Sequence, residues 1–579
     1  MWSVTKTLCA AAAAVSLAGC ITQPSPPPWF SSAMFEELAN TEEYSDFLAA
    51  RYAGMSGDPV AAAEFHRRSF DRSPDDAALL ERAMLSTLIA GGAADAISLT
   101  VGADLSVSAQ SPTAQFALAV NEVTTGKHRR AAARLRTGGM GAINADAAGF
   151  LASWLTAVDD ADAGLEYLDQ LPPRRLLAGE QQALRGLILA NTGRTTQALA
   201  AFEQASRLPT GSPGYLMLLR VQLMASTGDL AGARKLVERQ IEDLGVSSET
   251  EYALSLVNSG KPAPRPKLGV REGAAVAVFL ASAGGVARSS SEIATMRHAL
   301  ALHLDPAFAP ARLMLADAMS EQDRDDDALH ELRQIPAGSP WAAEARLKEA
   351  WLFDRLDRPA EALAAAEAAL ASSRRRDVLV GAGDLYRVNR NDKAAAALYD
   401  EVIAADIKAG APDWRVLFAR ASARNAMDDW KGAEADLVAA LAIEPDRPEL
   451  QNFLGYGWVN RGERVAEGMD LIRKAVAARP DQGYIVDSLG WAHYALGQYD
   501  QAVETLERAA ELSPSDSEIV DHLGDAYWRA GRQTDAVFEW RRALQLKPDD
   551  QREATLRTKL ERGLPPISTT ALADAKARQ

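Results

Sequence analysis

The sequence predicts an all-α fold in which helix-turn-helix units stack into a solenoid. A Leu-Gly pair recurs at intervals of 35 and 34 residues, and each occurrence opens a segment that closes with a proline. The pairs are Leu454-Gly455, Leu489-Gly490 and Leu523-Gly524, and the prolines are Pro480, Pro514 and Pro548. Aromatic residues make up only 6% of the chain, as expected of short, closely packed helices. The functional question therefore becomes what the stacked surface binds.

One unit shows how the sequence builds a helix pair. Leu489 and Gly490 lie on the first helix, which is expected to end at Gly497 because a left-handed residue at a helix end is usually glycine. Ala502 and Leu506 lie on one face of the second helix. Gly490 and Ala502 are small, which allows the two helices to approach closely. The following unit repeats this arrangement at Val520, Leu523, Gly524, Tyr527, Gly531, Ala536, Trp540, Ala543 and Pro548.

These spacings resemble the tetratricopeptide repeat (TPR), because eight or nine positions agree at fixed offsets. The preceding unit departs from the pattern by one extra residue before its second helix and by Gly468 in place of the usual alanine. Weaker units upstream keep a turn glycine five residues before a helical alanine. We therefore expect a TPR helix-turn-helix solenoid of about fourteen repeats. The resemblance implies a right-handed superhelix whose concave side is lined by the first helix of each pair.

The repeat pattern is interrupted once, at 260–267, where three prolines prevent a helix. This break is expected to separate two arrays, although a surface loop within one continuous superhelix is an equally weighted alternative. Terminal repeats need a polar cap. The predicted segments are an N-terminal TPR array, a Pro-rich linker, a C-terminal TPR array, a capping helix and a disordered tail, at 42–257, 258–271, 272–548, 549–563 and 564–579.

The N-terminus reads as the export signal of a lipoprotein. Lys6 precedes an apolar run at 8–17 that is too short to remain as a membrane-spanning helix. The run closes with Leu-Ala-Gly-Cys at 17–20, which resembles the bacterial lipobox. The resemblance implies a signal peptide at 1–19 and acylation of Cys20 after cleavage. The alternative is an ordinary secretory signal with an incidental cysteine.

The lipobox also bears on localisation. Several acyl chains anchor a protein stably, whereas one chain gives only reversible binding. Ile21 follows the cysteine, whereas an Asp there favours inner-membrane retention in Gram-negative lipoproteins. The resemblance therefore implies a lipid-anchored protein of the outer membrane that faces the periplasm. The remainder of 20–41 holds four prolines and is expected to be an extended tether, at about 3.1 Å per residue.

Charge and cysteine content exclude several classes of protein. The formal net charge of −16 argues against a nucleic-acid binder, which would carry a basic stripe. It also argues against electrostatic adhesion to anionic lipid. The two cysteines are Cys9 and Cys20, so the chain after them has neither a disulfide framework nor a Cys-based zinc site.

Motifs for catalysis fail on inspection. His330 begins a pattern like that of a zinc helix, but Gln334 stands where the second histidine is required. Asp323, Asp325 and Asp327 alternate as in a calcium loop, yet the loop's glycine and terminal glutamate are missing. We therefore predict a chain that is not an enzyme and that takes no cofactor and no metal.

The TPR resemblance also identifies candidate partner contacts. In that family the non-core positions of each first helix face a ligand, and here those positions are rich in aromatic and acidic residues. The predicted groove residues are Asn452, Tyr456, Tyr484, Asp487, Trp491, Tyr494, Asp521, Asp525 and Trp528. Such a groove suits a periplasmic protein or peptide that carries basic and apolar groups. Packing of Trp491 and Trp528 between repeats is an equally weighted alternative.

The lipobox together with repeats along nearly the whole chain resembles a group of outer-membrane TPR lipoproteins. The segments 486–491 and 521–525 look like those of its large members. Some members are adaptors that hold a periplasmic carboxyl-terminal processing protease and present peptidoglycan hydrolases to it. The resemblance implies a non-catalytic, membrane-tethered scaffold, although repeat motifs specify fold better than partner. The alternatives are an assembly scaffold of an exopolysaccharide, pilus or outer-membrane protein machine, and an enzyme with an unrecognised site.

Overall fold

The computed structural model describes residues 41–172, 177–208, 213–282 and 288–566. Within these ranges the chain forms thirty-one α-helices and no β-strand, which confirms the predicted all-α repeat solenoid. None of the described helices is both long enough and apolar enough to cross a bilayer. The predicted signal peptide, Cys20 and nearly all of the predicted tether lie outside the described residues.

Contacts between Cα atoms divide the chain into two compact units, Met1–Glu331 and Leu332–Gln579. The helices of the first unit, with the last one ending two residues beyond it, are α1 (Thr41–Met55), α2 (Pro59–Arg72), α3 (Ala77–Ile89), α4 (Ala93–Gly102), α5 (Leu105–Gln110), α6 (Pro112–Thr124), α7 (His128–Arg136), α8 (Gly141–Asp159), α9 (Ala161–Gln170), α10 (Ala178–Asn191), α11 (Thr195–Ser206), α12 (Pro213–Ser226), α13 (Leu230–Leu244), α14 (Ser248–Asn258), α15 (Val270–Leu280), α16 (Arg288–Leu304), α17 (Ala309–Glu321) and α18 (Asp325–Arg333).

The second unit consists of consecutive antiparallel helix pairs followed by a single helix at the C-terminal end. Its helices are α19 (Ala342–Arg355), α20 (Pro359–Ser372), α21 (Arg376–Val388), α22 (Asp392–Lys408), α23 (Trp414–Ala426), α24 (Trp430–Ile443), α25 (Pro448–Arg461), α26 (Val465–Ala478), α27 (Gly483–Ala495), α28 (Tyr499–Leu512), α29 (Ser517–Arg529), α30 (Gln533–Gln545) and α31 (Asp550–Arg562). The last of these, α31, occupies the position predicted for the capping helix.

Acidic N-caps and left-handed turn residues set the helix ends. The Asp516 carboxylate accepts the backbone N–H of Glu518 at 2.9 Å and so starts α29. Gly497 follows α27 with φ 73°, and its N–H donates to the carbonyl oxygen of Tyr494 at 2.9 Å. Aspartate side chains cap other helices in the same way, at positions Asp58, Asp76, Asp104, Asp160, Asp229, Asp413, Asp429 and Asp549. Part of the acidic composition is therefore used to begin helices.

The segment predicted as a linker, 258–271, lies within the first unit and includes the start of α15. Its non-helical part is bound to neighbouring helices, since Arg265 Nε donates to the carbonyl oxygen of Ala190 at 3.1 Å. After the segment, α15 packs on α8, and Trp154 Nε1 donates to the carbonyl oxygen of Val270 at 3.0 Å. The predicted bounds of the two arrays remain a prediction.

In both compact units, the two helices of several pairs come close together at a glycine on the first helix. A Cβ on this glycine would lie 2.5–2.8 Å from a side chain sixteen positions later, which is closer than real Cβ contacts. The pairs are Gly186 with Phe202, Gly383 with Tyr399, Gly490 with Leu506, and Gly524 with Trp540. In the pair with one extra residue, Gly455 instead meets the backbone of Gly468: a Cβ on either would lie 2.6–2.8 Å from the other's carbonyl oxygen. Backbone contact therefore explains why Gly468 replaces the usual alanine.

We expect Gly468→Ala to lower the free energy of unfolding by about 1–3 kcal/mol, because the added methyl group forces α25 and α26 apart. Gly338→Ala is the control and lies in the same compact unit, Leu332–Gln579, where a Cβ on Gly338 would meet nothing within 4 Å. We expect the control to change stability by less than about 0.5 kcal/mol. Urea titration followed by circular dichroism measures both, and equal effects would contradict the backbone contact.

Candidate functional site

The nine predicted groove residues lie on three consecutive first helices, α25, α27 and α29. On each helix they follow one another at intervals of three or four residues, which places them on one helical face. The opposite faces bury Leu454, Val486 and Leu523 in the core. We call the surface formed by the nine predicted residues the groove face.

A stack of three rings occupies the middle of the groove face. Trp491 lies nearly parallel to Tyr494, with ring centroids 4.6 Å apart, and to His522, with centroids 4.0 Å apart. His522 Nδ1 donates to the carboxylate of Asp487 at 2.9 Å. Arg529 Nε donates to the hydroxyl of Tyr494 at 3.3 Å. The Trp491 ring is thus held in place by neighbours from its own helix and from the next repeat.

Charge around the stack alters the protonation of His522. Burial alone lowers the pKa of this imidazole, but the carboxylates of Asp487, Glu518 and Asp521 favour the imidazolium. The net result is a pKa above the ordinary value of 6.5. The interaction between α27 and α29 is therefore a charge-assisted hydrogen bond when His522 is protonated.

The capping helix α31 covers the α29 end of the groove face. Lys559 Nζ lies 2.6 Å from Asp521 and 2.7 Å from Asp525, and both carboxylates are buried. Asp525 also accepts from Trp540 Nε1 at 2.9 Å. Burial raises the pKa of the Asp525 carboxyl, and the ammonium of Lys559 opposes this shift. The acidic groups predicted for this end are thus paired within the chain.

Trp528 is also covered at this end. Its ring lies 5.2 Å from that of Trp540, and a Cβ on Gly563 would overlap it. Trp540 is fully buried on α30. The pairing of Lys559 with Asp521 and Asp525 was not foreseen from sequence, because α31 lies outside the repeat pattern.

The α25–α27 end of the groove face is more open. Tyr484 is 47% exposed, and Tyr456 and Trp491 are partly exposed. Burial, followed by the charges of Asp487 and Glu518, raises the pKa of Tyr456 to about 12, so its phenol is neutral. Partner binding by the nine residues remains a prediction, and Tyr484, the most exposed of them, lies at this end.

Comparison with known proteins identifies the repeats. The tetratricopeptide repeat family model matches residues 347–412 and 488–551, which confirms TPR repeats in these two segments. A TPR repeat-containing protein from Pseudomonas aeruginosa is 29% identical over 194 residues, covering 33% of this chain and 32% of the relative. The chain thus matches about a third of the length of that relative.

Two matching solved structures have TM-scores below 0.5. A tetratricopeptide repeat protein from Parabacteroides merdae has a TM-score of 0.39 and 12% identity, covering 44% of this chain and 97% of that one. The APC/C hetero-tetramer Cut9–Hcn1 has a TM-score of 0.36 and 15% identity, covering 92% and 99%.

We expect Lys559→Met to lower the free energy of unfolding by about 3–5 kcal/mol, because it leaves the buried Asp525 without its cation and leaves Asp521 only the more distant Arg552. Arg557→Met on the same helix removes an exposed cation paired with Glu553 and is the control. The control is expected to change stability by less than about 1 kcal/mol. Urea unfolding of both variants is the measurement, and similar losses would show that Lys559 is not a buried partner.

The Asp487–His522 pair makes stability depend on pH. A histidine whose pKa is raised on folding stabilises fully below its unfolded pKa near 6.5 and loses that contribution as pH rises through the folded pKa. The excess stability of the wild type over His522→Gln is therefore expected to grow as the pH falls through the folded pKa toward 6.5. Parallel urea titrations measure the difference, and a constant difference would contradict the raised pKa.

Proposed function

We propose that the chain is a non-catalytic TPR scaffold, anchored in the outer membrane through Cys20, that binds periplasmic proteins on the groove face. The open end of this face is the observation that carries the proposal. There Tyr484 is half-exposed, and Trp491 is held between Tyr494 and His522. Aromatic side chains that are already ordered bind partners at a reduced entropic cost.

The arrangement favours a polypeptide guest over a small molecule. First helices of successive pairs present their exposed residues side by side, so a guest that extends along the array contacts several repeats. Anchor residues separated by one repeat suit a segment of chain more than a compact ligand. Binding affinity then comes from a few aromatic contacts and from charge complementarity at their edges.

The lipobox supports a role for the membrane in this function. Confining the scaffold near one membrane, and binding two guests on one array, raises the effective concentration of each guest for the other. We propose that one guest is a carboxyl-terminal processing protease and that the others are peptidoglycan hydrolases presented to it. This part rests on the resemblance of the sequence to outer-membrane TPR lipoproteins. An assembly scaffold for an envelope machine differs only in the identity of its guests.

Photo-crosslinking in the cell envelope tests the proposal. With p-benzoylphenylalanine in place of Tyr484, we expect covalent capture of a periplasmic protease or cell-wall hydrolase, identified by mass spectrometry. The same group in place of Phe538 is the matched control, because Phe538 is a 66% exposed aromatic on α30. The Cys20→Ser background is expected to reduce capture while leaving the circular dichroism spectrum unchanged.

The outcomes separate the parts of the proposal. Capture of pilus or polysaccharide-assembly proteins would replace the protease as guest and keep the scaffold. Equal capture from both positions would remove the groove face as the binding surface. Undiminished capture with Cys20→Ser would show that the anchor has no part in binding.

A further inference from the structure

At one position of the repeat, a side-chain oxygen can accept a hydrogen bond from the next repeat or from the capping helix. The position lies two residues before the leucine of each Leu-Gly pair and is occupied by Asn452, Asp487 and Asp521. Asp487 accepts from His522 of the next repeat, and Asp521 accepts from Lys559 of the capping helix at 2.6 Å. Two of the three acceptors therefore receive a donor from within the chain.

Asn452 lacks such a donor. The side chain is 8% exposed, yet its Oδ1 atom is enclosed and accepts no hydrogen bond from any residue that the structure describes. The next repeat has Ser488 in the position that corresponds to His522. The Ser488 hydroxyl donates to the carbonyl oxygen of Tyr484 at 3.0 Å, so it is already used. A buried amide acceptor without a partner is unfavourable and is expected to gain one from a ligand.

The neighbours of Asn452 are acceptors or negative charges. Glu449 lies three residues earlier on the same helical face, and its Oε2 atom is likewise enclosed without a hydrogen bond. Tyr456 follows four residues after Asn452. Burial and then the charge of Glu449 raise the pKa of Tyr484, and burial and then the charge of Asp487 raise the pKa of Tyr456. Each phenol therefore lies near a carboxylate of the neighbouring helix: Tyr484 on α27 lies near Glu449 on α25, and Tyr456 on α25 lies near Asp487 on α27.

Two of the nearby cations are committed to other groups, and a third, the exposed Arg479, acts to lower the pKa of Tyr484 but donates to neither Asn452 Oδ1 nor Glu449 Oε2. Arg461 Nη2 donates to Asn425 Oδ1 at 3.1 Å, and Arg552 lies 3.1 Å from Glu518 and 3.5 Å from Asp521. The charges around Asn452 and Glu449 thus disfavour an anionic ligand and favour a cationic donor. A positively charged donor also makes the stronger hydrogen bond to such acceptors.

We propose that Asn452 and Glu449, flanked by Tyr456 and Tyr484, form a binding site for a basic side chain, lysine or arginine, of a polypeptide that lies on the groove face. The inference rests on the proposed function, because it names the chemistry that the scaffold recognises at its accessible end. The guest's cation supplies the donor that Ser488 does not. The neighbouring phenol rings contact the aliphatic part or the plane of the basic group.

A labelled Ala/Leu peptide with one central arginine is the probe, titrated into the lipidated protein in detergent and followed by fluorescence anisotropy. Copies carry lysine, citrulline or norleucine at the same place, and citrulline keeps the shape of arginine without its charge. We expect the arginine and lysine peptides to bind about tenfold to a hundredfold more tightly than the neutral ones. Raising the salt concentration is expected to reduce this preference.

Variants assign the preference to the site. Asn452→Leu and Glu449→Gln are each expected to weaken binding of the basic peptides while leaving the neutral peptides unchanged. Asp470→Asn removes one negative charge from a 71% exposed side chain on α26 and is the control expected to keep the preference. Because Asn452 Oδ1 has no partner in the free protein, Asn452→Leu is expected not to lower its thermal midpoint.

The outcomes separate this inference from the proposed function. Equal binding of arginine and citrulline peptides would overturn the basic-side-chain site and leave the scaffold in place. A preference retained in both site variants would place the site elsewhere and overturn the assignment. If Asn452→Leu destabilises the protein without changing peptide selectivity, Asn452 is a structural residue. If no peptide binds and p-benzoylphenylalanine in place of Tyr484 captures no protein, both proposals are overturned.

Discussion

The close approach of the two helices within each pair is the constraint on which the rest of the structure depends. At the point of contact the first helix has no room for a side chain, since a Cβ on Gly490 would lie 2.5 Å from Leu506 and one on Gly524 2.5 Å from Trp540. The large residue of the second helix fills the space that the glycine leaves. Because this contact turns one face of the first helix inward, it fixes which face remains available to the neighbouring repeat and to a partner. The orientation of the groove face is therefore a consequence of the packing.

The groove face combines two uses of the same positions. Between repeats it needs polar contacts that set the spacing, and the buried pairs of Asp487 with His522 and of Asp521 with Lys559 provide them. Toward a partner it needs groups that are ordered but unsatisfied, and Asn452 and Glu449 meet this description. A carboxylate that is paired between repeats is not available to the guest. These two uses compete, which explains why only some of the nine residues of the groove face are accessible to a partner.

The sequence predicts the pairs well and the contacts between non-repeating elements poorly, for a physical reason. Helix pairs are local: a glycine and its partner are sixteen residues apart, so the spacing is visible in the printed sequence. An inserted residue is visible too, and it marks the unit in which Gly468 replaces the usual alanine. The bond from Trp154 to Val270 spans 116 positions and follows no period. Lys559 belongs to a helix outside the repeats, and its pairing with Asp521 and Asp525 depends on how α31 docks. The candidate groove residues of each helix share one helical face, as their spacing predicts, while their accessibility depends on an element that the repeat pattern does not describe.

The position of the open site follows from the way a repeat array ends. A terminal repeat has no successor, so its acceptors need donors from a cap, and α31 supplies Lys559 and Arg552 to Asp521. One repeat earlier, His522 supplies the donor to Asp487. One repeat earlier still, serine replaces histidine, and a hydroxyl of that length bonds to its own helix at Tyr484. The replacement leaves the buried Asn452 Oδ1 without a hydrogen bond from any described residue. A scaffold that satisfied every acceptor internally would have no charge preference at this point, so the proposed selectivity for basic guests depends on the unsatisfied Asn452.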